Sequence, residues 1–155
     1  MAAGTWESHH AITELMYRYT EYIDAADFDA IGALFANGRL TTKGVPGSVD
    51  GAEAVAALYR STNRVHDDGT LRTRHLCVNP IVDIDEANNT ASARSSFVVF
   101  QATADLPLQP IVAGRYQDRF ERAEGAWRFA EREMNVQQVG DVHEHLNIDL
   151  DRYTS

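Results

Sequence analysis

A single cysteine, Cys77, is present in the 155-residue chain, so no internal disulfide forms, and one sulfur without a neighbouring Cys makes no zinc framework. Nothing therefore implies an oxidising compartment. Long apolar runs are missing as well: the longest, Ala54 to Tyr59, has six residues, whereas a membrane span takes about 18 or more. The stretch Met1 to Glu14 carries Glu7 and the pair His9-His10 where a secretory signal needs an uninterrupted apolar core. A cytoplasmic protein is the expectation. Positive charge is scarce too. Fourteen Lys and Arg against 23 Asp and Glu leave a net charge of −9, and a surface of that sign repels phosphate backbones and anionic headgroups, so neither nucleic acid nor membrane is expected as a partner. The phosphate-loop and dinucleotide patterns and the Gly-x-Ser-x-Gly elbow are also absent, which removes several large enzyme classes.

What the chain does have is the composition of one globular domain spanning 1–155: 44% of its residues are apolar and 24% charged, enough to close a core at this length. From Thr5 to about Ala25, Ile12, Leu15, Met16, Tyr19, Tyr22 and Ile23 recur at spacings of three and four, the stripe of an amphipathic helix. Asp27 is placed to cap a second, short helix carrying Ile31, Leu34 and Phe35, which Asn37-Gly38 stops. Arg39 to Val45 reads as a strand broken by Pro46-Gly47. Asp50 and Glu53 resemble a capping box before a third helix with Val55, Leu58 and Tyr59 on one face. Beyond Leu71 the pattern turns to extended segments, 72–83, 90–102, 111–122 and 126–138. The turns between them are short enough for antiparallel hairpins. Helices first and antiparallel strands afterwards predict an α+β fold.

The residues available for chemistry are His, Asp and Tyr, the types whose proton affinities are tunable toward neutrality. Asp24 falls at the C-terminal end of the first helix, where the helix dipole disfavours a negative charge, so it either begins the turn into the second helix or meets a compensating donor. His75 alternates with Thr73, Cys77 and Asn79 on one strand face; it is either a hydrogen-bonded core histidine or a base. His143 and His145 share a side of a possible last strand with Asp141, a spacing compatible with a metal site or with plain surface. Tyr17, Tyr19 and Tyr22 offer phenol donors or simple packing. Trp127 and Phe129 read as core. Arg72, Arg94, Arg115, Arg119 and Arg132 fall on strands, where exposed or salt-bridged faces are the usual place for them.

Three stretches taken together carry a resemblance: Ala11 to Leu15 through Tyr22 to Phe28, then Thr73 to Asn79, then Gly114-Arg115-Tyr116 through Glu124 to Phe129. Over roughly residues 8–138 the chain resembles the SnoaL-like branch of the nuclear transport factor 2-like superfamily, which has a cystatin-like fold. The resemblance implies a cone, a curved and mostly antiparallel sheet wrapped around a long N-terminal helix, with a C-terminal tail over 139–155. The chain is most similar to the group of scytalone dehydratase, bile-acid dehydratase and lindane dehydrochlorinase, which use an Asp from the first helix and a His from a strand. Asp24 and His75 match those positions, and Tyr19 matches a phenol of the bile-acid dehydratase. On an ideal helix Tyr19 lies about 140° from Asp24, so both reach one pocket only if the sheet wraps the helix closely.

The resemblance further implies elimination without cofactor or metal on a small hydrophobic, polycyclic or aromatic molecule, in a homo-oligomer that is a dimer or a trimer. The carboxylate fixes the imidazole tautomer and leaves the other nitrogen to take a proton. Where some relatives place a further acidic or His group on the next strand, this chain has Phe97, Val98, Val99 and Phe100. Two alternatives stand beside a dehydratase-type lyase. One is a proton-shuttling isomerase of the ketosteroid isomerase kind; the other is a ligand-binding or assembly subunit resembling the small subunit of ring-hydroxylating dioxygenases.

Overall fold

A computed structural model describes residues 4–150; residues 1–3, and the end of the expected tail at 151–155, lie outside the described residues. The first helix, α1, runs Trp6–Asp24. Thr5 starts it by accepting the Ser8 N–H at 3.1 Å, and Glu7 in the first turn suits the positive end of the dipole. Ile12, Met16, Tyr19 and Ile23 line its buried face at the expected spacing. Ala26, at φ 57°, reverses the chain into α2 (Phe28–Leu34), whose cap is Asp27, accepting from Ala30 N at 3.1 Å.

The segment expected as one strand is a hairpin, β1 (Arg39–Thr42) and β2 (Val45–Asp50). Pro46 and Gly47 lie inside β2 rather than ending it, because β2 is the edge strand and a proline there forfeits no ladder bond. The expected capping box does not form either. Helix α3 (Ala52–Thr62) begins at Gly51, at φ 84°, without a side-chain cap; Asp50 remains in β2 and accepts from Ser48 Oγ at 2.5 Å.

Four long strands follow: β3 (Thr73–Asp85), β4 (Thr90–Gln101), β5 (Gln109–Ala123) and β6 (Ala126–Val139). The six-stranded sheet has the order β2-β1-β6-β5-β4-β3. Its pairings are antiparallel except that of β1 with β6. The fold is thus α+β, a curled sheet against α1 with two shorter helices, α2 and α3, packed on each other. Among the described residues no helix is long and apolar enough to cross a membrane.

Two irregularities decide which side chains point inward. In β3 the register shifts between Val78 and Ile81, with Asn79 at φ 54°, so Thr73 and His75 are buried on one parity and Ile84 on the other. Asn79, expected on the His75 face, is exposed. In β6 the pairing skips Ala130, since Arg119 faces Glu131 but Phe120 faces Phe129. Phe129 and Arg132 therefore both turn inward.

Arg132 is 0% exposed, and its cross-strand neighbour Asp118 is 2% exposed. Two hydrogen bonds of 2.8 Å join them, and the guanidinium carbon lies 3.9 Å from the ring centre of Tyr116, 4.4 Å from that of Tyr19 and 5.0 Å from that of Phe129. A planar, weakly hydrated cation suits such an aromatic bed. Close packing continues at Gly114, the cross-strand neighbour of Phe97. A Cβ there would fall 2.9 Å from the Phe97 ring, so only glycine lets Phe97 lie on Tyr116, centroids 4.5 Å apart.

Removing one partner of a buried ion pair strands the other charge, so Asp118→Asn is expected to cost about 3–5 kcal/mol. The double substitution Asp118→Leu with Arg132→Met should recover most of that loss. Urea unfolding midpoints check both; equal losses in the single and double variants would mean that packing, not charge, holds this layer.

Candidate active site

The last turn of α1 brings the Asp24 carboxylate against the start of β3. There it accepts the Thr73 hydroxyl at 2.7 Å, the His75 backbone N–H at 3.0 and 3.1 Å, and His75 Nδ1–H at 2.6 Å. These donors answer the unfavourable position at the negative end of the helix. Because Asp27 supplies the α2 cap, Asp24 is not consumed by the turn. Both side chains are nearly enclosed, His75 at 6% and Asp24 at 11% exposure. A carboxylate only accepts, so the proton on this contact belongs to Nδ1, and in the neutral ring Nε2 carries the lone pair.

The His75 ring forms part of the wall of a cavity of about 300 Å³, with Tyr19, Tyr59, Phe97, Val99, Tyr116 and His145 among the other wall residues. Asp24 stands behind His75, outside that lining. Tyr19 lines the cavity, 1% exposed, while Asp24 contacts His75 from outside the lining. The Tyr19 and Tyr59 hydroxyls are hydrogen-bonded to each other. Burial pushes the Tyr19 phenol up, and those of Tyr59 and Tyr116 well up, from the ordinary tyrosine value. The phenols are therefore neutral donors. Tyr17 and Tyr22 are not in the lining; Tyr17 is 45% exposed.

His143 and His145 do not share a strand face. Residues 141–146 form a turn and a short strap, which sends His143 outward and His145 inward. His143 is exposed and bonded to Asp141, which raises its proton affinity. His145 is 4% exposed, and its ring centre lies 5.5 Å from that of His75. Among the described residues no group of three His, Cys, Asp or Glu is arranged to hold a metal ion. Cys77 is half-buried and donates to Ser95 Oγ; burial pushes its thiol up, away from nucleophilic character.

The strap is held by its backbone. Gln101 Nε2 donates to the carbonyls of Leu71 and Glu144, each at 3.0 Å. Arg64 N donates to His145 O, and Asn147 N to Thr62 O, both at 2.8 Å. Sequence reasoning missed the wall positions of Tyr59 and His145 and the burial of Arg132. The Tyr59 position was visible as an apolar helical face, while Arg132 was hidden by the skipped residue in β6.

A family model described as a SnoaL-like domain matches residues 4–133. Among solved structures the chain is similar to a variant of Rv3472, a protein of unknown function from Mycobacterium tuberculosis. The identity is 26%, over 86% of this chain and 74% of that one, with a TM-score of 0.70. An NTF2-like protein with a cystatin-like fold from Novosphingobium aromaticivorans is also 26% identical, over 83% of this chain and 80% of that one, with a TM-score of 0.68. LinA, at 18% identity over 88% and 90% of the two chains and a TM-score of 0.69, shares the fold. None of the curated proteins matches the chain.

Burial, and then the neighbouring His75 and His66, push His145 down from 6.5 to about 3. The folded protein therefore resists protonating this ring while the unfolded chain takes the proton, so stability declines as pH falls below 6.5. Between pH 6.5 and 5, above most carboxylate titration, His145 should cost roughly 2 kcal/mol. Urea unfolding at the two pH values should show that loss in the wild type and a flatter response in His145→Gln; identical slopes would mean His145 is protonated as readily in the folded chain.

Proposed function

The chain belongs to the SnoaL-like domain family, and on that premise we propose that it is a lyase that removes water from a small hydrophobic β-hydroxy carbonyl compound, with Asp24 and His75 as its acid–base machinery. The observation that carries this reading is the 2.6 Å contact of His75 Nδ1 with Asp24 behind a ring that lines a largely apolar cavity. Nε2 takes the proton from the carbon beside the substrate carbonyl, and the C–H electron pair moves onto the carbonyl oxygen as an enolate. Tyr19 and Tyr59, held neutral by burial, share one hydrogen bond, so one phenol proton of the pair is left to donate to that oxygen. The enolate then forms the C=C bond and expels hydroxide, which receives the proton from the His75 imidazolium and leaves as water. His75 is base and acid in turn and ends neutral. Asp24 never touches substrate; it holds the tautomer and stabilises the transient imidazolium.

A volume of about 300 Å³ sits at the lower end of ligand pockets. One or two rings fit such a space better than a tetracyclic skeleton. A second reading, isomerisation by proton return to a different carbon, is favoured by one observation: β4 offers only Phe97 and Val99 to the cavity, so the leaving hydroxyl has no dedicated acid there. Both readings share the enolate and the dyad, and differ in whether water is released.

β-Hydroxytetralone, whose dehydration gives naphthol, and β,γ-cyclohexenone, whose isomerisation gives the conjugated ketone, separate the two. Naphthol is expected from the wild type, and His75→Ala and Asp24→Asn should each lower kcat/KM by about a hundredfold or more with unchanged circular dichroism. Turnover of the cyclohexenone alone would favour the isomerase. Turnover of neither, or rates indifferent to both substitutions, would reject the catalytic dyad and leave a binding or assembly role.

A further inference from the structure

The wall around His75 is mostly aliphatic and aromatic, and the strap after β6 nonetheless delivers an imidazole into it. His145 makes an edge-on contact with His75, their planes 63° apart. Its Nδ1 is buried without a hydrogen-bond partner, although the backbone on either side is tied down: Leu146 pairs with Asn63, and His145 N donates to Val142 O at 3.0 Å. A side chain needed only to fill that space would be served by leucine, with no unpaired nitrogen to desolvate. A sealed N–H without an acceptor is rarer and more costly than a sealed lone pair. The ring proton therefore belongs on Nε2, and the ring reaches the cavity as a hydrogen-bond donor.

We propose that His145 is a second ligand-contacting residue of this site, its Nε2–H donating to the carbonyl oxygen of a one- or two-ring ketone held beside His75. The inference rests on the cavity being the substrate site, as argued above, and adds the residue that fixes which way round the carbonyl lies. The division of labour between the two imidazoles follows from their neighbours. His75 gives its Nδ1 proton to Asp24 and presents a lone pair, so it has nothing to offer a carbonyl; His145 has no carboxylate on its ring and presents a proton. Burial and the two neighbouring imidazoles hold His145 neutral, with its proton affinity lowered to about 3. It therefore polarises an oxygen without transferring its proton, as a preorganised uncharged donor does. Of the other donors in the lining, Thr62 and Asn63 are bonded to carbonyls of α3, and the Tyr19–Tyr59 pair, which shares one hydrogen bond, keeps a single proton that joins His145 on the carbonyl oxygen.

The test uses α-tetralone and tetralin, a pair of the same bicyclic shape with and without a carbonyl. The wild-type protein is expected to bind α-tetralone about five- to tenfold more tightly than tetralin. In His145→Leu that preference should shrink to within about twofold while tetralin binding holds, and His145→Gln, which retains an N–H donor, should restore part of it. Should the leucine variant not fold, the wild type labelled with ¹⁵N-histidine answers alone: the His145 ring signals should move on adding α-tetralone and stay with tetralin. A preference that survives in a folded His145→Leu, or ring signals indifferent to the ketone, would overturn the role of His145 while leaving the cavity as the site. Binding of neither compound to the wild type would overturn the substrate pocket and this inference together.

Discussion

Everything in the site depends on a negative charge placed where a helix least favours it. Asp24 ends α1, and the carbonyl end of that helix repels a carboxylate. The charge is held there because β3 begins at the same place and turns donors toward it: one hydroxyl, one backbone N–H and one ring N–H. The same bonds lock the start of the strand to the end of the helix. They set the distance between the two elements, the tautomer of His75 and the direction of its free nitrogen in a single arrangement. The fold and the chemistry are therefore not separable at this point.

A second electrostatic layer lies beneath the first. The Arg132 guanidinium, neutralised by Asp118, sits under the rings of Tyr19 and Tyr116. Burial drives the phenols toward their neutral form, and the cation opposes that shift without overcoming it. The outcome suits a developing oxyanion: protonated donors above and a fixed positive charge below. A lysine at this position would lack the plane that matches three aromatic rings and the fork that takes both carboxylate oxygens.

Local sequence signals were sufficient where a single element settles its own geometry. The stripe of α1, the Asp27 cap and the lengths of the four long strands follow from helix periodicity, a side-chain acceptor and turn residues between extended runs. The pairing of Asp24 with His75 was not legible in this way. Each residue had an equally good local explanation, and only the resemblance across distant segments joined them. Bulges defeated the alternation rule twice. Asn79 was placed on the face of His75 because strict period two carries it there, and Arg132, expected on an exposed or salt-bridged face, is salt-bridged but buried, because the skipped Ala130 reverses the parity between Phe129 and Arg132. Pro46 misled for a related reason, since a strand's tolerance of proline depends on being an edge, which is a property of the sheet and not of the segment.

The strap after β6 shows why the pocket was the least readable part. The family match ends at residue 133, yet His145, Leu146, Ile148 and Leu150 contribute to the cavity wall. Residues 141–146 have the polarity of a surface tail, and four of them, Asp141, His143, Glu144 and His145, carry charge or the capacity for it. What makes them a wall is the set of backbone bonds from Arg64, Asn147 and Gln101, which lie outside the segment and leave no trace in its composition. The Asp24–His75 contact joins the end of α1 to the start of β3. The stretch after β6 adds four residues to the cavity wall, His145 the one with an imidazole. Changes to the strap can therefore alter what fits beside His75 without disturbing the Asp24 contact, because the two are held by different hydrogen bonds.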